Sequence, residues 1–444
     1  MDGSVQEILN QAITAAERAF PEMRAMPAHR RRAILQAAHG RLAAEKDKFA
    51  RLITSENQKP IRDSSGEVGR ALFTLTLAVE EAGRMNGELL PMDLVEAGER
   101  RLGLVRRFPI GPIAAITPFN FPLNLVLHKV APALASGNTV VVKPSPRTPQ
   151  TAIELGRLFQ ESGLPDGALT VLPPESCGAD VAVAMACDPR FKMLTFTGSA
   201  DVGWSLKAKA GKKRVVLELG GNSGTIVHSD ADLEHAVGRI VAGGFGFSGQ
   251  SCVAVQRVFV ERGVYRQFLE LIVPRVRQLK VGDPFDETTD VGPMIDLPAA
   301  ERAESWIQEA VAQGAKLLAG GGRDGRMIAP AVLVDTRSEM LVNCREVFAP
   351  LVTVTPYDRF EEALDLVNQT NFGLHAGVFT RDNARIFKAF ETLEVGGVIV
   401  NDVPTYRVDH MPYGGAKDSG FGREGIRYAI EEMTEPRIMV LNLC

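Results

Sequence analysis

Six residues carry most of the chemical information in this chain: Cys252, Glu218, Asn120, Lys143, Ser199 and Glu346. Cys252 ends a small-residue run, Val241-Ala-Gly-Gly-Phe-Gly-Phe-Ser-Gly-Gln-Ser-Cys252. Glycine there lets backbone approach a ligand without Cβ atoms intervening, so a thiol can be reached from open space. Cysteine is the side chain best suited to add to a carbonyl near neutral pH, which makes Cys252 the candidate nucleophile. Glu218 closes the apolar run Val215-Val-Leu-Glu218 before Gly220-Gly221, where partial desolvation raises a carboxyl pKa and suits it to act as base. Asn120 lies between Pro118 and Pro122, which stiffen the loop so that its amide could donate to a developing oxyanion.

The other candidates sit where apolar runs end. Met193-Leu-Thr-Phe-Thr-Gly-Ser199 runs into helical sequence, and Gly198 and Ser199 would place free N–H groups and the helix dipole before a phosphate. Lys143 ends Thr139-Val-Val-Val-Lys143 and could bond a ribose or phosphate at a strand's carboxyl edge, where ligands of open α/β sheets lie. Glu346 precedes Phe348 and could anchor a ribose beside an apolar neighbour. A G-x-G-x-x-G string at 244–249 follows a helical pattern rather than a strand, so we read it as flexible backbone around Cys252 and not as a dinucleotide fingerprint.

These residues need elements to hold them. Apolar spacing predicts opening helices over 5–20 and 28–53. Short apolar runs without alternation at 113–117, 139–142, 169–172, 193–197 and 215–219 read as strands buried on both faces, separated by helix-length segments such as 150–162 and 176–187. A second set of strands, at 224–228, 257–260, 331–334, 352–355, 376–380 and 395–401, alternates with helices at 231–243, 264–279, 298–313, 359–368 and 382–392. The fold class is therefore α/β: two parallel-sheet domains with a cleft between them. Residues 100–108 nearly alternate, as a half-exposed strand would.

At 444 residues the chain has ample material for such cores. Its 50 basic and 54 acidic side chains give a net charge of −4, which offers no field to recruit nucleic acid or an anionic membrane. The five cysteines (177, 187, 252, 344, 444) contain no C-x-x-C pair, which argues against a disulfide framework or zinc ribbon and for a reducing, cytoplasmic setting. No secretory leader is visible, and the uncharged run Ile110 to Leu127 is interrupted by three prolines and two asparagines, so no membrane span is expected. His410 has no partner at metal spacing, and no metal is expected.

Together these stretches resemble the aldehyde dehydrogenase superfamily over nearly the whole chain: Pro118-Phe-Asn-Phe-Pro122, Lys143-Pro-Ser145, Phe196-Thr-Gly-Ser199, Glu218-Leu-Gly-Gly221, Gly249-Gln-Ser-Cys252, Glu346-Val-Phe-Ala-Pro350 and Gly415-Ala-Lys-Asp-Ser-Gly-Phe-Gly-Arg-Glu-Gly425, in order. The resemblance implies a Rossmann-like cofactor-binding domain (1–90 with 109–218), a catalytic domain (219–429) and a bridging sheet (91–108 with 430–444) that supports a homodimer or homotetramer. It implies oxidation of a small aldehyde by NAD or NADP: Cys252 attacks, Asn120 and the Cys252 N–H hold the oxyanion, and Glu218 activates the water that hydrolyses a thioester. Lys143 and Glu346 would hold the riboses, Ser199 the pyrophosphate, and Phe348 would flank the nicotinamide. Ile116, Pro118, Ser145, Gly198, Leu219 and Gly220 complete the implied cofactor-binding set.

Relatives that transfer the acyl group to coenzyme A commonly lack the base at Glu218, which favours hydrolysis. A cysteine hydrolase without redox cofactor would have no use for Lys143 and Ser199. Phe119 stands where many members carry tryptophan. Pro146 replaces a glutamate that NAD-preferring relatives use, and with Arg147 beside it both cofactors stay open. The chain starts almost at the first helix, so a short leading segment of longer members is expected to be missing. Residues 401–412 resemble a subgroup acting on small hydroxy- or anion-bearing aldehydes, such as lactaldehyde, glyceraldehyde 3-phosphate or a semialdehyde. Arg407 would either clamp a substrate anion or pair with Asp402 or Asp409.

Overall fold

The computed structural model describes residues 2–443, so Met1 and Cys444, the outer ends of the expected 1–90 and 430–444 segments, lie outside the described residues. Non-alternating apolar runs become parallel strands because both of their faces are covered. In the first sheet the strands run, in spatial order, Gly420–Phe421, Arg214–Glu218, Met193–Thr197, Pro112–Ile116, Thr139–Lys143 and Leu169–Val171, all parallel except the short first one. Ile113, Ala115, Val140 and Val142 pack against the helices Ala28–Ala44, Lys46–Asn57, Ile61–Glu81, Asn124–Ser136 and Pro149–Glu161. Their neighbours Ala114, Ile116 and Val141 face the helices Gly3–Ala25, Ala179–Cys187 and Ala200–Lys209. Each strand thus feeds two cores.

The second sheet has seven strands in the order Lys316–Ala319, Ala331–Val334, Leu351–Tyr357, Val255–Glu261, Ser223–Val227, His375–Phe379 and Gly397–Val400. Only Lys316–Ala319, an edge strand our reading of the sequence lacks, is antiparallel. Phe268 and Ile272 of the helix Arg262–Arg277 are fully buried in the core on one face of this sheet. Truncating such a phenylalanine to alanine costs about 3–5 kcal/mol. A third, antiparallel sheet joins Glu88–Pro91, Arg101–Pro109 and Thr434–Asn442.

Three expectations about helices change. The one at 28–53 breaks at Glu45 (φ −103°, ψ 16°), whose carboxylate binds Lys48 and Arg157. Helices Ile61–Glu81 and Asn124–Ser136 were not among the expected elements. Every residue of Asn124–Ser136 is buried, so it has no polar face from which an amphipathic period could arise. The uncharged run from Ile110 is accordingly a core strand, a proline loop and the start of this helix. Among the described residues no helix is long and apolar enough to cross a membrane.

Candidate active site

Parallel register sets the first half of the site. Ile116 pairs with Lys143 and with Phe196, and Thr197 with Glu218, so the carboxyl ends of four strands lie along one sheet edge. The candidates Lys143, Ser145, Gly198 and Ser199 therefore stand together with Glu218 and with the loop that carries Pro118 and Asn120. That loop is fixed by Asn57, whose amide donates to the carbonyl oxygens of Phe119 (3.1 Å) and Asn120 (3.4 Å).

The second sheet delivers Cys252 and Glu346. Gly221 must be glycine because a Cβ there would lie 2.2 Å from the Cys252 carbonyl oxygen, and a Cβ on Gly220 would lie 2.4 Å from the Glu346 carboxylate. The Gly221 N–H donates to Glu346 Oε1 at 3.0 Å, joining both sheets across the cleft. Burial raises the Glu346 carboxyl to about 7 against that bond. Phe348 holds a left-handed φ of +53°, sparsely populated for a bulky residue, and meets Phe119 edge-on at 6.0 Å. The segment before Cys252 is not loose, as its glycines suggested. It is a buried turn in which Phe247, Ser248 and Gly249 take φ of +47°, +54° and +67° in succession, held by the Phe247 N–H on Asp63 and the Ser248 hydroxyl on the Gly292 carbonyl.

Around the thiol, Asn120 Nδ2 donates to the Gln250 carbonyl (3.1 Å), leaving its second N–H for another acceptor. Cys252 Sγ lies 3.1 Å from Tyr413 Oη. Burial pushes the thiol up to about 11, opposed by the Tyr413 hydrogen bond. Glu218 is 2% exposed, and among the described residues neither carboxylate oxygen has a hydrogen-bond partner. Desolvation first, and then the charge of Glu424, raise its carboxyl well above 4.5. The resting thiol is therefore protonated, and the charge of Glu218 adds to what keeps it so.

A cavity of about 350 Å³ opens onto Cys252. Arg62, Arg70, Phe121, Phe247, Arg407 and Tyr413 line it; reading the sequence found only Arg407 among them. Arg407 pairs with neither Asp402 nor Asp409. Asp402 binds Arg239, and Asp409 binds Arg70 and His128. Instead Arg407 Nη2 reaches Glu424 Oε2 (3.4 Å) and His128 Nδ1 (3.3 Å), its guanidinium lies 3.5 Å over the Tyr413 ring, and its buried Nε has no partner. Tyr413 and Arg70 carry no local signal that could have found them, since their partners are 161 and 339 positions away.

The sheet edge also fits a nicotinamide dinucleotide. Buried hydroxyls of Thr117 and Thr197 are unpartnered, Lys143 Nζ is satisfied only by the adjoining Pro144 carbonyl at 3.3 Å, and Ser199 leads the helix Ala200–Lys209 without capping it by its side chain. Buried polar atoms left unpaired at one edge are what a polar ligand would satisfy. Arg147 is not free, being drawn to Asp296 at 2.6 Å.

Two parallel-sheet domains meeting over a cysteine, with a dinucleotide edge on one side and a cavity on the other, define a two-domain α/β oxidoreductase. The aldehyde dehydrogenase family model matches residues 2–439, and the chain belongs to that family. It is an NAD(P)-dependent aldehyde dehydrogenase. It is 46% identical over 440 residues to the 3-sulfolactaldehyde dehydrogenase of Priestia aryabhattai, covering 99% of this chain and 91% of that one. Aldehyde dehydrogenase 21 from Physcomitrella patens, solved with the reaction product succinate, superposes with a TM-score of 0.95 at 45% identity, covering 98% and 90% of the two chains. The glyceraldehyde-3-phosphate dehydrogenase GapN of Methanocaldococcus jannaschii, solved with NADP, gives 0.93 at 37% identity over 98% and 94%.

Proposed function

We propose that this enzyme oxidises a short aldehyde bearing an anionic group, and in addition a hydroxyl, to its carboxylic acid, by covalent catalysis at Cys252. The observation that carries the substrate reading is the cavity over the thiol: Arg62, Arg70 and Arg407 converge on a space of about 350 Å³, and the Arg407 Nε is buried without a partner. A carboxylate, phosphate or sulfonate would accept from the Arg407 Nε and answer the positive charge of Arg62 and Arg70, each of which also holds a carboxylate of the protein. A relative named for sulfolactaldehyde and a neighbour holding succinate support the anionic group, and relatives named for lactaldehyde support the hydroxyl.

In this reading Cys252 sulfur adds to the carbonyl carbon, its proton passes to Glu218, and the oxyanion is held by the free Asn120 N–H and the Cys252 N–H. The nicotinamide, when bound, supplies the acceptor for the hydride that leaves the adduct. Lys143 and Glu346 would hold its riboses, Ser199 and Gly198 the pyrophosphate, with Ile116, Pro118, Ser145, Leu219, Gly220 and Phe348 packed about it. Having released the thiol proton to solvent, Glu218 takes a proton from water attacking the thioester, the acyl–sulfur bond breaks, and that proton passes to the leaving sulfur as the acid departs. The strand Thr434–Asn442 leaves Ile438, Met439, Val440 and Leu441 exposed, which supports a homodimer or homotetramer built on it; the free cysteines support a cytoplasmic setting.

A panel of anionic and neutral aldehydes, each with NAD and with NADP, tests the substrate. Anionic aldehydes should show the higher kcat/KM, and Arg70→Ala should raise their KM by about 10–100-fold while sparing neutral ones. Equal preference would remove the anionic requirement. Cys252→Ala should lower turnover by about 10³-fold or more with cofactor binding kept, and retained activity would remove the nucleophile.

A further inference from the structure

Tyr413 has no part in the mechanism above, yet its hydroxyl lies 3.1 Å from the reacting sulfur. The residue is 2% exposed and held from several directions. Its N–H donates to the Glu424 carbonyl (3.0 Å) and its carbonyl accepts from the Glu424 N–H (2.7 Å). One face of the ring carries the Arg407 guanidinium at 3.5 Å, and His375 meets it edge-on at 5.1 Å. Among the described residues Cys252 is the only hydrogen-bond partner given to the hydroxyl. A phenol locked so firmly, with one partner, has one place to direct its proton.

We propose that Tyr413 is a positioning residue for Cys252: its hydroxyl donates to Sγ, fixes the sulfur in one orientation and stabilises the thiolate as it forms. Resting on the reading of Cys252 as nucleophile, this names the group that tunes it. The cation on the ring face draws electron density from the phenol and strengthens it as a donor. Burial and the charge on Cys252 both keep Tyr413 protonated well above its ordinary range, so it remains a donor at any pH the enzyme meets. The bond opposes the burial that otherwise raises the thiol. With one sulfur lone pair engaged by Tyr413, the S–H points elsewhere, and the charges of Glu346 and then Glu218 bear on it.

The test is the pH dependence of iodoacetamide alkylation at Cys252 in the full-length enzyme. Alkylation is followed by peptide mass spectrometry because Cys187 and Cys344 are exposed and will also react. Tyr413→Phe keeps the ring and loses the donor. The expected result is a thiol that titrates higher, with alkylation at pH 8 about tenfold slower, the acid limb of kcat/KM moved upward in parallel, and cofactor binding unchanged. Replacing Tyr413 by 3-fluorotyrosine, a stronger donor of nearly the same shape, should move the thiol the opposite way, and decides the matter should the phenylalanine variant fail to fold. A titration of Cys252 unmoved by the folded variants would overturn the proposal and leave Tyr413 as packing. Activity surviving in Cys252→Ala would instead sink the nucleophile reading itself, so the two failures are separable.

Discussion

Two buried glutamates, Glu218 and Glu424, are 2% exposed each and feel each other's charge, yet they end in opposite states. Burial raises the Glu424 carboxyl, but Lys129, His128 and Arg407 outweigh it and hold the group down to about 2. Its Oε1 accepts from Lys129 Nζ at 2.8 Å, and that ammonium in turn donates to Thr195. Glu218 has no such partner, and burial together with Glu424 drives it upward. The same contrast divides the molecule. Lys59 with Glu67, His128 with Asp409, and Lys129 with Glu424 are satisfied pairs that hold helices and loops together. Among the described residues the hydroxyls of Thr117 and Thr197, the side-chain oxygen of Asn120 and the Glu218 carboxyl are buried and unsatisfied along the cleft. Paired buried charge is scaffold, whereas unpaired buried polarity is held open for a ligand and for chemistry.

That division can be broken at either glutamate. Glu218→Gln should cut steady turnover by about 10²–10⁴-fold, slow the first reduction of NAD(P)H at each site as well because the same group takes the thiol proton, and raise Tm, because an uncompensated acid is removed. Normal turnover would mean another base serves. Glu424→Gln should do the reverse to stability, lowering it by about 3–5 kcal/mol in denaturant titrations, since Lys129 is left buried with half its compensation gone. An unchanged midpoint would void the scaffold assignment.

The pH dependence of stability sharpens the contrast. Glu218 titrates higher folded than unfolded, so its contribution is intact below about 4.5 and is lost as pH rises toward the folded value. The Tm advantage of Glu218→Gln should therefore be absent in acid and grow above pH 4.5. Glu424 is depressed, so the stability it gives is present above 4.5 and disappears as pH falls toward 2. The deficit of Glu424→Gln should close over that interval. Smallest of all, Arg147→Ala breaks an exposed pair with Asp296 and should change stability by no more than about 1 kcal/mol, while comparison of KM for NADP and NAD reads any hold of Arg147 on a 2′-phosphate.

Most strands of both sheets, the helix that starts behind Ser199, and the placing of Lys143, Ser199 and Glu218 at strand ends were legible because they rest on local pattern; the short strands Lys316–Ala319 and Gly420–Phe421 were not. Helices Ile61–Glu81 and Asn124–Ser136 were not. The second is buried all round and carries His128 and Lys129 into the core, and polar residues without an exposed face leave no period to read. Arg407 was expected to clamp a substrate anion or to pair with Asp402 or Asp409, its neighbours in sequence; the acid it meets is Glu424, a neighbour only in space.

Sequence alone therefore determined which side chains have reactive types and which short segments become strands and helices, since hydrophobic period and turn chemistry act over a few residues. Tertiary structure alone decided which buried groups find partners: Glu424 but not Glu218, Arg407 with Glu424, Tyr413 with Cys252. Desolvation and pairing depend on what the fold brings within a few ångströms from far along the chain, and those distances set the ionisation on which the chemistry turns.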